Sequence, residues 1–195
     1  MKLTPLRADL LLPAAAVIWG TGFVAQRLGS EHLDAFEFTG LRFTLGTVLL
    51  LPLLRFAPWP THVDRSTSRR ATLRGGLLAG CAMLLAANAQ QHGLGSTTAS
   101  NGACITSLYV VFVPFLSIAF ARSRIGWPVW TGVVLAAVGL VLLGVDRDFH
   151  INAGDPWILL CALLWGFHVV IVGRYSRDAE PIRLSLIQLG MTGVG

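Results

Sequence analysis

Six apolar runs, near residues 10–28, 35–55, 74–94, 99–121, 127–145 and 156–173, with a seventh opening near 183, constrain this chain more than any other feature. A bilayer core about 30 Å thick needs roughly 20 apolar residues in a helix, and each run is close to that length. A helix of a soluble protein keeps one apolar face, whereas a helix drawn through any of these runs is apolar all round. Charged residues make up only 13% of the chain and its mean hydropathy is +0.66, against about 25% charged residues in soluble domains. The bilayer is therefore the expected solvent, and the expected fold is an all-α polytopic membrane protein. Lys2 and Arg7 ahead of Leu10 to Ile18, with Ala14-Ala15-Ala16 near a cleavage point, outline a signal peptide. The run continues through Trp19 and Gly20 to Ala25 without a stop, which favours an uncleaved first span.

The basic residues, sorted by the gaps between runs, give an orientation. Lys2, Arg7, Arg55, Arg65, Arg69, Arg70, Arg74, Arg122, Arg124, Arg174, Arg177 and Arg183 fall on one side, and only Arg27 and Arg147 on the other. That split follows the positive-inside rule and predicts a cytoplasmic N-terminus in a multi-pass protein of the plasma or inner membrane. One missed or extra helix would scramble the alternation. The opposite face carries Glu31, Asp34, Glu37, Asp146, Asp148 and Asp155, which reads as ordinary loop solvation. Because the cations occupy short gaps and gather on no single face, the net charge of +5 predicts a lipid bilayer and no nucleic-acid partner.

Several chemistries are excluded by what is missing. Cys81, Cys104 and Cys161 lie inside apolar runs, with no CxxC pair and no Cys/His cluster, so neither a disulfide framework nor a metal site is expected. Gly93-Leu94-Gly95 starts like a dinucleotide fingerprint, but Thr98 stands at its last glycine and no βαβ unit follows. There is no P-loop, no Ser/His/Asp set and no pair of intramembrane carboxylates, so neither a cofactor nor enzymatic activity is expected. An intramembrane lipid-modifying enzyme would gather its ionisable groups at one face, yet His32, His62, His92, His150 and His168 are scattered. A non-transporting scaffold would lack the amides of the third and fourth runs.

Trp19-Gly20 recurs as Trp165-Gly166, an offset of 165 − 19 = 146 residues. At that offset AAAVIWGTGFVAQRLGSEHLDAFEFTGLRFTLG aligns with LCALLWGFHVVIVGRYSRDAEPIRLSLIQLGMT, each passing from a tryptophan-glycine pair through an apolar half-helix, an arginine (Arg27, Arg174) and a short acidic loop into a new span. The copies are five spans apart. An odd number makes the second copy enter the membrane from the opposite side, the inverted-topology repeat of secondary transporters. The stretches IWGTGFVAQR, LRFTLG, QQHGLGSTTASNGACITSLYVVFVPFLS, GVVLAAVGLVLLGV and LLWGFHVVIVGRYS, in that order, carry a resemblance over nearly the whole chain. The sequence resembles the EamA-type transporters of the drug/metabolite transporter superfamily.

That resemblance implies ten spans in two inverted five-helix repeats, moving small metabolites such as amino acids, nucleosides or drugs, often outward. Residues 1–146 would form the first repeat and residues 147–195 the start of a second, leaving about six to seven spans here. The expectation is a C-terminally truncated chain; the other route for a lone half is a homodimer.

Candidate pathway residues are the polar and aromatic groups that interrupt apolar runs. Arg42 lies about a third of the way into the second run, where an unpaired charge costs at least about 2.5 kcal/mol. Either an anion such as a substrate carboxylate compensates it, or it snorkels outward beside Glu37; the short distance to Glu37 and Phe38 weighs toward snorkelling. Asn88, Gln90, Gln91 and His92 end the third run, and Asn101, Thr106, Ser107 and Tyr109 in the fourth can face them. They line a cavity or tie helices together by hydrogen bonds, with Gly76-xxx-Gly80 and Ala99-xxx-Ala103 supporting close packing. Trp19 and Trp165, repeat equivalents, either cap a cavity from two sides or simply pack. His168 is a proton relay near neutral pH or, more in keeping with a lone histidine, bonded to a nearby carbonyl.

Overall fold

The computed structural model describes residues 5–121, 125–144 and 151–195. Its elements in chain order are α1 (Pro5–Gly29), α2 (Ala35–Leu50) with a 3-10 continuation (Leu51–Phe56), α3 (Arg65–Leu94), α4 (Ala99–Ser107), α5 (Tyr109–Ala121), α6 (Trp127–Gly144), α7 (Asp155–Tyr175) and α8 (Pro181–Val194). Among the described residues there is no strand, and the protein is an all-α polytopic membrane protein. Four helical segments, Ala35–Phe56, Arg65–Leu94, Ala99–Phe120 and Asp155–Tyr175, are long and apolar enough to cross a membrane by length and composition. Lys2, Arg122, Arg124, Asp146, Arg147, Asp148 and His150, and the expected boundary between repeats at 146/147, lie outside the described residues.

Two boundaries differ from the sequence reading. The third helix starts at Arg65 and not near 74, because Asp64 caps it: its carboxylate accepts the backbone N–H groups of Ser66 and Thr67. A hydropathy ruler sees only the apolar part of such a helix. The fourth run is two helices, broken at Leu108, whose N–H reaches back only three residues to Ile105. One turn later Pro114, inside α5, removes a further helical bond. Pro52 similarly ends α2 by turning the chain into the 3-10 segment.

The molecule is apolar outside and small or polar inside. Ile18, Leu49 and Leu142 are 72%, 69% and 77% exposed, while Thr39, Ser68, Thr72, Gln91 and Thr192 are almost fully buried. In lipid this arrangement is favourable, since tails solvate leucine while small residues let backbones approach, and Gln91 and Thr72 hydrogen-bond across elements. The central helix is α3. Gly75 meets Tyr175 of α7, and Gly76 and Gly80 meet Ile187 and Met191 of α8. A Cβ at Gly80 would stand 3.1 Å from the Gln188 Cα, so the α3–α8 crossing needs glycine there. α2 packs on the other flank of α8, α1 leans on α3 and α4, and α6 covers α4 and α5.

The bundle has two ends that hydrogen bonds define. At one, Arg183 Nη1 donates to the Ala57 carbonyl at 2.6 Å, His62 Nε2 lies 2.7 Å from the Arg177 carbonyl, and the Glu180 N–H donates to Thr72 Oγ1 at 2.9 Å. At the other, Thr97 Oγ1 donates to Asp155 Oδ1 at 2.6 Å and the Gly154 N–H to the Ser96 carbonyl. A small apolar core of Phe23, Leu94 and Ile158 sits beside this second end, with Ala99 and Ala103 packed against it.

Candidate solute cavity

Helices α1, α2, α3, α7 and α8 surround a cavity of about 500 Å³. Eight of its thirteen lining residues pair off at the offset of the sequence repeat. Trp19 of α1 and Trp165 of α7 meet edge to face with ring centroids 5.9 Å apart. One turn on, Gly22 and His168 line the same space; from α2 and α8 come Arg42 with Gln188, and Phe43 with Leu189. Each of these four pairs is 146 residues apart.

The α2–α8 crossing beside the cavity has the same reciprocity. Thr44 Oγ1 donates to the Gly193 carbonyl at 3.1 Å, and a Cβ on Gly190 would lie 4.0 Å from Thr47 Cγ2. Since Gly190 and Gly193 stand at the repeat positions of Thr44 and Thr47, each contact is the image of the other. Threonine against glycine is what lets the two backbones come this close.

Of the twelve residues singled out in the sequence, Trp19, Arg42, Gln90, Trp165 and His168 line the cavity, while Asn88, Gln91, His92, Asn101, Thr106, Ser107 and Tyr109 do not. Asn88 Nδ2 donates to the Leu84 carbonyl of its own helix. Gln91 is interhelical: its Nε2 donates to the Gln26 carbonyl of α1 at 3.0 Å. Asn101 lies in the first turn of α4, its N–H held by the Thr98 hydroxyl. Gln90 joins both alternatives, lining the cavity while its Nε2 donates to Thr106 Oγ1 at 3.2 Å.

Among the described residues Arg42 forms no ion pair with Glu37. The Glu37 carboxylate accepts the Asp34 N–H at 3.1 Å, completing a capping box at the start of α2. The Arg42 guanidinium instead lies 4.5 Å from the Phe43 ring centroid and 5.7 Å from that of Phe38. His168 has a side-chain partner: Nε2 is 2.7 Å from Gln188 Oε1 on α8.

The sequence reading passed over Gln26, Ser185 and Gln188, all in the lining. Two carried a usable signal. Gln26 follows Trp19 by seven residues, two turns along one helix face, and Gln188 occupies the repeat position of Arg42.

A lipid-facing exterior around a partly open, solute-sized and mostly apolar cavity defines a membrane protein with space between its helices. The EamA-like transporter family model matches residues 6–145, and the chain belongs to that family of membrane transporters. It is 32% identical to an "Uncharacterized transporter" of Archaeoglobus fulgidus over 183 residues, covering 94% of this chain and 54% of the relative. It is 26% identical to "Uncharacterized inner membrane transporter YedA" of Escherichia coli K12, over 90% of this chain and 55% of that protein. The chain thus spans about half the length of the curated relatives it matches. No solved structure matches it significantly.

Proposed function

We propose that this chain supplies the first repeat, and the opening of an inverted second one, of a secondary transporter that carries small metabolites across the inner or plasma membrane by alternating access. The cavity between α1, α2, α3, α7 and α8 is the solute pathway. The N-terminus faces the cytoplasm, and export is the favoured direction. The observation that supports this reading most is the pairing of the lining: Trp19 with Trp165, Gly22 with His168, Arg42 with Gln188 and Phe43 with Leu189 come from equivalent positions of the repeat. Inverted repeats place substrate at their shared interface, so a cavity lined by such pairs fits a pathway better than incidental packing space. The name of the Escherichia coli relative agrees with the inner membrane.

The test is counterflow of a labelled panel of amino acids, nucleosides and drug-like solutes in proteoliposomes. At least one solute exchanges above protein-free controls. Trp165→Ala lowers its initial rate by about tenfold, the scale of losing an aromatic pair and its buried area. A two-repeat protein that contains this chain, inserted and folded, and that exchanges nothing across the panel refutes the reading.

A further inference from the structure

Resting on the solute-pathway reading above, we propose that the cavity selects a small monoanion with a flat apolar body, an arylcarboxylate, and that Arg42 is the residue that recognises it. Arg42 is half-buried in an otherwise apolar stretch of α2 and faces the cavity. A guanidinium there has lost most of its water, and something must replace it.

Nothing in the described protein does so fully. The Phe43 and Phe38 rings offer a quadrupole but no charge. Glu37 accepts the Asp34 N–H in the α2 cap and forms no ion pair with Arg42. Glu180 is turned to the backbone of Ile182 and Arg183 and to the Arg183 side chain. No carboxylate among the described residues pairs with Arg42. The repeat-equivalent position offers no charge either, because Gln188 is neutral and holds His168.

The missing counter-charge therefore fits on the solute. Arginine presents a planar fork of N–H donors that matches the two oxygens of a carboxylate. Beside it Phe43 and the edge-to-face Trp19–Trp165 pair form aromatic walls for a flat apolar body. The same count separates acids from amino acids. Among the described residues the cavity lining has no aspartate or glutamate to receive an ammonium group. A zwitterion with Arg42 leaves one net positive charge in a low-dielectric space, whereas a monocarboxylate with Arg42 leaves none.

Four probes that share a benzyl-type body test this: phenylacetate, phenylacetamide, phenylglycine and phenethylamine, titrated against the purified protein in nanodiscs by tryptophan fluorescence and thermal shift. Phenylacetate binds at least about tenfold more tightly than each of the others. Arg42→Gln brings the four within about twofold, and Arg42→Lys keeps part of the preference. Equal or tighter binding of phenylglycine or phenylacetamide overturns the proposal, as does a preference that survives Arg42→Gln or an absence of phenylacetate binding. If Arg42→Gln fails to fold, the ranking by the native protein decides alone. Counterflow separates this from the transport reading: exchange of neutral or cationic solutes with no phenylacetate binding sinks the anion proposal and leaves transport intact.

Discussion

At Asp64 one carboxylate holds the start of α3. Its Oδ atoms accept the Ser66 and Thr67 hydroxyls and both backbone N–H groups, and these bonds, the Ser66 hydroxyl foremost, hold its pKa well below the usual carboxylate range. A depressed carboxylate contributes stability above its unfolded pKa and loses it as pH falls through the folded one. Asp64→Ala therefore lowers the thermal midpoint at about pH 7, and the gap to the native protein narrows as pH falls below about 3, read by thermal unfolding in detergent. The same scale shows what single residues disclose. Trp19, Arg42, Gln90, Trp165 and His168 stand out against apolar neighbours, and all five reach the cavity. Asn88, Gln91, Asn101 and Tyr109 stand out equally but turn elsewhere, because the rotation of each helix is set by packing partners that no single run reveals. Proximity in sequence points Arg42 toward Glu37, but Glu37 caps α2 and the two form no ion pair.

Among elements, α3 decides the arrangement by being small where it is touched. At Gly80 an added Cβ would meet Met191 Sδ at 2.8 Å and the Gln188 Cα at 3.1 Å. A flexible thioether can swing away, but a backbone atom cannot without moving α8. Gly80→Val is expected to destabilise by about 1–3 kcal/mol, measured by denaturation of the purified protein, and to shift Gln188 and Leu189 away from the cavity. An unchanged stability would mean that α8 is held elsewhere. The existence and order of the helices were legible because about 20 apolar residues have few other fates in a bilayer. Their ends were less so. The polar start of α3 depends on a cap rather than on hydropathy, and the break at Leu108 follows a shift in backbone hydrogen bonding that no residue type announces.

For the whole molecule, the split of basic residues between the gaps predicts the orientation. Arg183, His62 and Glu180 gather at one end, and Thr97 and Asp155 at the other. In a cysteine-free background, a membrane-impermeant maleimide is expected to label His32→Cys in intact cells and Thr61→Cys only after permeabilisation; the reverse pattern would invert the assignment. The reciprocal crossing of α2 and α8 has a mechanical consequence. Its close contacts include a threonine hydroxyl on a glycine carbonyl and a threonine methyl beside a glycine, both made by small side chains. Such a joint slides at little cost, and displacement grows with distance from it. Helices hinged there would work as levers on a shared fulcrum, spreading apart at one end as they draw together at the other.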